Sequence, residues 1–184
     1  MLIALDLDGC LANFVHTLSE VAYNHFGIRA NPSSYGEIVP VKYWGKIYDY
    51  MIDCGAFLSI PVYEENVRIL ADWSKEHTLY YLTRRRPASP LDQRRIALHQ
   101  SQTRRWVMKV DLPQYYNLVF VQDKGDWCVR NGCSCIVEDY LKDCRKWEGL
   151  MTSNGFLKAW LIDRPWNQGS YSRRVKNFSE VKLD

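Results

Sequence analysis

The sequence lacks the two features that would mark a membrane or exported protein. No apolar run approaches the roughly 20 residues that a membrane-spanning helix needs. The first residues, MLIALDLDG, introduce an acid at Asp6 and have neither the basic start nor the long apolar stretch of a signal peptide. We therefore expect a cytoplasmic protein that has no membrane partner and keeps its six cysteines reduced.

Strong charge of one sign is also missing, and so is a zinc-binding motif. The 24 basic and 21 acidic residues give a net charge of +3, which does not favour binding to nucleic acid through bulk charge. Cys133 and Cys135 are separated by one residue and have no histidine nearby, unlike the usual ligand spacing of zinc sites. The sequence therefore predicts buried or half-buried free thiols rather than a metal–thiolate site.

What the chain does contain is typical of a folded globular domain. It has 184 residues, of which 47% are hydrophobic and 24% charged, and it shows no internal repeat. This length suits one domain with a modest insertion. Its seven tryptophans and twelve tyrosines can fill a core or line a ligand pocket.

Predicted strands alternate along the chain with predicted helices. Short apolar or β-branched runs predict five strands, at 2–5, 78–82, 118–121, 135–137 and 157–162. Apolar residues at helical spacing predict three helices, at 11–26, 64–76 and 91–109, the first of them closed by Gly27. This alternation favours an α/β fold with a parallel sheet covered by helices.

Residues 30–60 differ from the rest of the chain because they are rich in proline, glycine and aromatic residues. We interpret them as a small insertion of short helices and loops. The predicted division is a catalytic core at 1–16 and 62–184 and a small helical cap at 17–61.

Polar residues follow four of the five predicted strands. These residues are Asp6 with Asp8, Thr83, Lys124, and Glu138 with Asp139. Because right-handed crossovers bring the carboxyl ends of parallel strands to one edge, where ligands bind, we expect these side chains to lie together.

The expected group of side chains suits metal-assisted phosphoryl transfer. Carboxylates without histidine or cysteine are ligands for a hard cation such as Mg²⁺. A lysine and a threonine hydroxyl can donate to phosphate oxygens. One carboxylate can then attack phosphorus, and a second can transfer the proton.

These residues resemble the motifs of the haloacid dehalogenase-like phosphatases. Asp6-Leu7-Asp8-Gly9 is similar to their D-x-D-G motif, and the later motifs are matched in order by Thr83, Lys124 and Glu138-Asp139. The resemblance covers residues 1–167. It implies a three-layer, Rossmann-like α/β core with a small helical cap inserted after the first strand.

Finer likeness points to the 5'(3')-deoxyribonucleotidase-like branch of that family. Four segments of the chain resemble the pattern of that branch. They are LDLDGCLANF at the start; Phe57-Leu58 with Ile60-Pro61-Val62; Leu82-Thr83-Arg84 with Arg86-Pro87, Thr103 and Trp106; and Ile162-Asp163-Arg164-Pro165-Trp166-Asn167. Glu138 stands where aspartate is usual in the family, so whether Glu138 or Asp139 binds the metal directly stays open.

The resemblance also implies roles for individual residues. Asp6 is implied as the nucleophile, and Asp8 as the acid that protonates the leaving oxygen and then the base that activates water. Mg²⁺ is implied to be held by the Asp6 carboxylate, the Asp8 carbonyl and an acid of the fourth motif, Asp139 or Glu138. Thr83 and Lys124, with Arg84 beside them, are implied to hold the phosphate.

Two further sets of residues have two interpretations each. Tyr43, Trp44 and Tyr48 either line the cleft as a stacking wall for a nucleobase or form the small core of the cap. Phe14 is a further candidate for lining the same cleft. Arg84–Arg105 contains seven arginines and one acid, Asp92, and forms either a solvated helix face or a contact for nucleic acid or a second phosphate.

The function predicted from the sequence is therefore Mg²⁺-dependent hydrolysis of nucleoside or deoxynucleoside monophosphates through an aspartyl phosphate. Two alternatives stay open. One is a phosphatase that acts on nucleic-acid ends, and the other is a catalytically silent nucleotide-binding protein. The base, the sugar, the 5' or 3' preference and the oligomeric state have no signal in the sequence.

Overall fold

The computed structural model describes residues 1–33, 38–85 and 92–183. Its strands are β1 (Leu2–Asp6), β2 (Thr78–Thr83), β3 (Leu118–Phe120), β4 (Cys135–Glu138), β5 (Met151–Thr152), β6 (Gly155–Phe156), β7 (Lys158–Ile162) and β8 (Arg174–Val175). Its α-helices are α1 (Phe14–Phe26), α2 (Val41–Asp53), α3 (Glu64–Glu76), α4 (Gln93–Lys109), α5 (Lys124–Asn131) and α6 (Leu141–Trp147).

Six of these strands form one parallel sheet in the order β3-β2-β1-β4-β7-β8. The remaining two, β5 and β6, form a separate antiparallel hairpin. The first strand lies at the centre of the large sheet, with β2 on one side and β4 on the other. Any residue that follows β1 is therefore close to the ends of both neighbouring strands.

Both faces of the sheet are covered, because successive side chains of a strand point to opposite faces. In β1, Ile3 and Leu5 belong to one apolar cluster, which includes residues of α1, α2, α3 and α4. Ala4 belongs to a second cluster, which includes Cys128 of α5 and Trp147 of α6. The chain thus has an α/β architecture, with a parallel sheet between helices, of the Rossmann-like kind.

The predicted elements are largely confirmed, with shifts at their ends. The helix predicted from 11 begins at Phe14, because Asn13 caps it by accepting a hydrogen bond from the His16 N–H. It closes at Gly27, whose φ of 64° is the expected left-handed cap. The third strand ends one residue earlier than predicted and the fifth begins one residue later.

Other parts of the fold were not predicted. Helices α5 and α6 have eight and seven residues, and β8 has two, so each is too short to show a periodic pattern. Within the predicted insertion, the structure has the thirteen-residue helix α2. Leu91, where the third helix was predicted to begin, and Tyr35 of the insertion lie outside the described residues. The division into core and cap stays a prediction.

Two further expectations can be compared with the structure. Five cysteines are buried and free, whereas Cys54 is exposed and free. In the described ranges, no group of three potential ligands that could hold a metal includes a cysteine. No helix in the same ranges is long and apolar enough to cross a membrane.

His99 of α4 is enclosed by aromatic rings. Its ring lies 4.1 Å from Phe57 and 5.4 Å from Tyr48, measured between ring centroids. Neither ring nitrogen has a hydrogen-bond partner among the described residues. Burial, and then the nearby charge of Arg85, lower the pKa of His99 to about 3. The imidazole is therefore neutral in the folded protein.

We expect His99 to make the stability of the protein depend on pH. Its pKa rises to about 6.5 on unfolding, so below pH 6.5 the unfolded chain binds a proton at His99 that the folded protein does not bind. The contribution of the neutral His99 to the free energy of unfolding is therefore complete above pH 6.5 and is lost as the pH falls towards 3. His99→Phe removes this dependence, which amounts to about 1 kcal/mol per pH unit. In urea unfolding at pH 7, 5.5 and 4, the free energy of unfolding of the variant should rise relative to that of the wild type as the pH falls. Parallel pH profiles for the two proteins would contradict this assignment.

Candidate metal centre at the carboxyl edge of the sheet

The topology brings the predicted polar residues to one edge. Asp6, Thr83 and Glu138 are the last residues of β1, β2 and β4, which are neighbours in the sheet. Asp139 directly follows Glu138, and Lys124 is the first residue of α5. The order of the strands therefore places residues from four separate parts of the sequence at the same edge.

The Lys124 ammonium joins two of the carboxylates. Its Nζ lies 2.6 Å from Asp6 Oδ1 and 2.8 Å from Glu138 Oε2. All three side chains are buried. Burial alone would lower the pKa of Lys124, but the charges of Asp6 and Glu138 outweigh it and raise that pKa above its usual value. The lysine is therefore held in its charged form.

Three buried carboxylates surround this site. Asp6, Glu138 and Asp139 each offer an oxygen within 4.8 Å of the other two, which is the spacing of ligands around one metal ion. Burial, followed by the Glu138 charge, raises the pKa of Asp6 well above its usual value. Burial also raises the pKa of Glu138, and together with the Asp6 charge it raises that of Asp139 to about 7. Burial is the largest cause of all three shifts, and the charge of a neighbouring carboxylate adds to each of them.

Asp139 is held by the loop that follows β7. Its Oδ2 accepts a hydrogen bond of 2.8 Å from the Trp166 indole, and its backbone carbonyl accepts one of 2.8 Å from Asn167. Its other carboxylate oxygen, Oδ1, is buried without a hydrogen-bond partner in the described part of the chain. A hard cation beside Asp6 would satisfy that oxygen, so the donor set fits such an ion.

The turn after β1 is shaped to admit the Asp139 side chain. Gly9 has a φ of 81°, and a Cβ built on it would lie 1.9 Å from Asp139 Oδ2. The position thus needs glycine for two reasons, its backbone conformation and the closeness of the carboxylate.

Asp8 lies apart from the three carboxylates and is paired with Arg85. The Arg85 Nε lies 2.9 Å from Asp8 Oδ2, and its terminal nitrogen lies 2.5 Å from Oδ1. The guanidinium is buried over the rings of Phe57 and Trp106, at 5.3 and 5.4 Å from their centroids. The sequence reasoning missed Arg85 as a partner of Asp8, although the unusual triple arginine at 84–86 drew attention to the segment.

Thr83 and Arg84 take different positions at the end of β2. The Thr83 hydroxyl is buried and accepts a hydrogen bond of 3.2 Å from the Arg85 N–H. Arg84 is directed to Asp143, at 2.6 Å, and to the Gln122 carbonyl. Both residues line a cavity of about 190 Å³ between β2, β3 and α4. Their part in binding phosphate stays a prediction.

The four aromatic residues predicted to line the cleft lie on α1 and α2. Phe14 and Tyr48 are buried with their centroids 6.1 Å apart, and Trp44 is half-buried and stacks on Tyr48 at 6.2 Å. Tyr43 is half-buried, with the Lys42 ammonium 4.9 Å from its ring. Phe14 and Tyr48 belong to the large apolar cluster on one face of the sheet, and a stacking wall at Tyr43, Trp44 and Tyr48 stays a prediction.

The chain matches none of the protein-family models and none of the curated proteins with which it was compared.

We expect Gly9→Ala to destabilise the protein more than Gly27→Ala does. Both glycines have a positive φ, but nothing lies within 4 Å of a Cβ on Gly27. The control should lose about 1 kcal/mol through backbone strain alone. Gly9→Ala should lose about 1–3 kcal/mol more, because Asp139 must also move. Urea unfolding measures the loss in free energy of unfolding for both variants. Equal losses would show that the Asp139 side chain can move away from the new methyl group at no cost.

Proposed function

We propose that the chain is a Mg²⁺-dependent phosphomonoesterase of the haloacid dehalogenase-like kind, acting on nucleoside or deoxynucleoside monophosphates. One observation carries the proposal. Asp6, Glu138 and Asp139 converge within 4.8 Å at the carboxyl edge of the sheet, where Lys124 also lies. The order of the motifs along the sequence adds support.

Asp6 is the nucleophile of the proposed reaction. Lys124 and the Leu7 N–H both contact its Oδ1, at 2.6 and 2.7 Å, which points to Oδ2 as the attacking oxygen. Attack on phosphorus forms an aspartyl phosphate and breaks the bond to the leaving oxygen. Water then attacks the aspartyl phosphate and releases inorganic phosphate, which restores the Asp6 carboxylate.

Asp8 moves the protons. It gives one to the leaving oxygen and later takes one from the attacking water. Arg85 contacts both oxygens of Asp8, so one of these contacts must open when a proton resides there. We infer that substrate binding accompanies this opening.

The metal and the cations offset charge. Mg²⁺, held by Asp6 and Asp139 with Glu138 nearby and the Asp8 carbonyl as a further candidate ligand, would supply positive charge to the phosphoryl group. Lys124 and Thr83 would donate to its oxygens. Residues 17–61 would cover the site as a cap and choose the leaving group, and the protein would work in the cytoplasm.

Three arginines of the arginine-rich stretch are occupied by intramolecular ion pairs. Arg95 pairs with Asp49 at 3.1 Å and with Asp53 at 2.6 Å, and Arg84 and Arg85 pair with Asp143 and Asp8. These intramolecular pairs reduce the charge available for phosphates of a nucleic acid. Arg86 lies outside the described residues.

We expect Asp6→Asn to abolish phosphate release. With Mg²⁺, the wild-type protein should hydrolyse an aryl phosphate and, in a panel of monophosphates, favour nucleotides. An amide cannot form the phosphoryl–enzyme bond, so the variant should fall to background. The control is Asp72→Asn, which changes a highly exposed carboxylate paired only with Lys75 and should keep full activity. Full activity in Asp6→Asn would contradict the proposed mechanism. If the wild-type protein binds nucleotides but releases no phosphate, the alternative of a catalytically silent nucleotide-binding protein is favoured.

Asp8→Asn should slow the same reaction about 10²- to 10⁴-fold, because the lost group transfers a proton in the transition state. The loss should be smaller for an aryl phosphate than for a nucleotide, since a phenolate leaves without a proton more readily than an alkoxide. Initial rates on both substrates measure this difference. Equal losses on the two substrates would contradict the role of Asp8 as the acid.

A further inference from the structure

We propose that Trp166 is a positioning residue for the metal, because its indole N–H binds one oxygen of Asp139 and so directs the other oxygen to the cation. This inference rests on the proposed function. The hydrogen bond from Trp166 Nε1 to Asp139 Oδ2 is 2.8 Å long. It connects the carboxylate to a loop that is distant in sequence and has no metal ligand assigned to it.

The two oxygens of Asp139 are in opposite situations. Oδ2 is occupied by the indole, whereas Oδ1 is buried and without a hydrogen-bond partner in the described ranges. Leaving a buried carboxylate oxygen unpaired is costly, so such an atom indicates an absent partner. Asp139 also offers an oxygen within 4.8 Å of Asp6 and Glu138. Rotation of the carboxylate would exchange the two oxygens unless something distinguishes them, and the indole N–H does so.

The loop that carries Trp166 is fixed at several points. Asn167 donates to the carbonyls of Asp139 and Ile162, at 2.8 and 2.6 Å. Arg174 of β8 donates to Asn167 Oδ1 at 2.8 Å, and Arg164 donates to the Gly9 carbonyl at 2.7 Å. The indole is thus held against the same turn and strand end that form the site, which is what a positioning residue requires.

Sterics act in the same direction. The absence of a side chain at Gly9 leaves a space that Asp139 Oδ2 occupies, as the 1.9 Å distance to a Cβ built there shows. Gly9 therefore leaves room for the oxygen that the Trp166 indole binds.

The test compares Trp166→Phe with Trp160→Phe in the full chain. Phenylalanine keeps an aromatic ring at position 166 and removes the N–H. Trp160 is the matched control, because its Nε1 is also buried but has no partner among the described residues. Calorimetric titration with Mn²⁺ in the absence of substrate measures metal affinity directly, and circular dichroism confirms that each variant is folded.

We expect Trp166→Phe to bind Mn²⁺ about 10- to 100-fold more weakly than the wild type, as loss of a hydrogen bond behind a metal ligand does elsewhere, and Trp160→Phe to bind like the wild type. In turnover, Trp166→Phe should need more Mg²⁺ for half-maximal rate yet approach the wild-type rate when saturated. A general loss of structure would instead lower the saturated rate.

The other outcomes separate the two proposals. Equal affinity in the wild type and Trp166→Phe, or an equal loss in both variants, would overturn the positioning role while leaving the metal site in place. If the wild type binds no Mn²⁺ or Mg²⁺, the proposed metal-dependent function fails together with this inference. If metal affinity follows the expected order but no phosphate is released, the positioning role stands and the phosphatase proposal falls.

Discussion

The Lys124 ammonium lies between the buried carboxylates of Asp6 and Glu138, and the arrangement of the sheet edge depends on this contact. Each of these charges alone would cost several kcal/mol to bury, so each requires the others. One ammonium cannot balance two carboxylates and Asp139 as well, and burial raises the pKa values of all three acids. A divalent cation held by Asp6 and Asp139 would supply the missing positive charge.

A second buried ion pair lies beside the first and carries no such deficit. Arg85 meets Asp8 through two nitrogens while its flat face lies over Phe57 and Trp106, so the pair belongs as much to the aromatic core as to the site. This contact joins the turn after β1 to the segment that precedes α3 and to α4. A change in the packing of these aromatic rings would therefore be felt at Asp8.

The loop after β7 holds Asp139 in place through hydrogen bonds. Trp166 and Asn167 hold the side chain and the backbone of that residue, and Arg164 holds the carbonyl of Gly9. Two elements far apart in sequence thus meet at one carboxylate, where the loop supplies the polar contacts and the glycine supplies the space. The short strand β8 supports this loop through Arg174, so even a two-residue strand contributes to the geometry of the site.

The sequence by itself determined the α/β class and the five longer strands of the sheet, with shifts of one residue at several ends, because alternation of apolar runs and polar ends is a local pattern. It also indicated, through residue types and spacing, that Asp6, Thr83, Lys124, Glu138 and Asp139 share one edge. Only the tertiary structure decided which side chains are paired: Arg85 with Asp8 and Arg84 with Asp143 as ion pairs, and Trp166 with Asp139 through a hydrogen bond. Arg84 and Arg85 look alike in a sequence, and no periodicity indicates that Arg85 turns inward. The direction of a side chain depends on neighbours brought together by the crossovers of the sheet, and those neighbours lie many residues away along the chain.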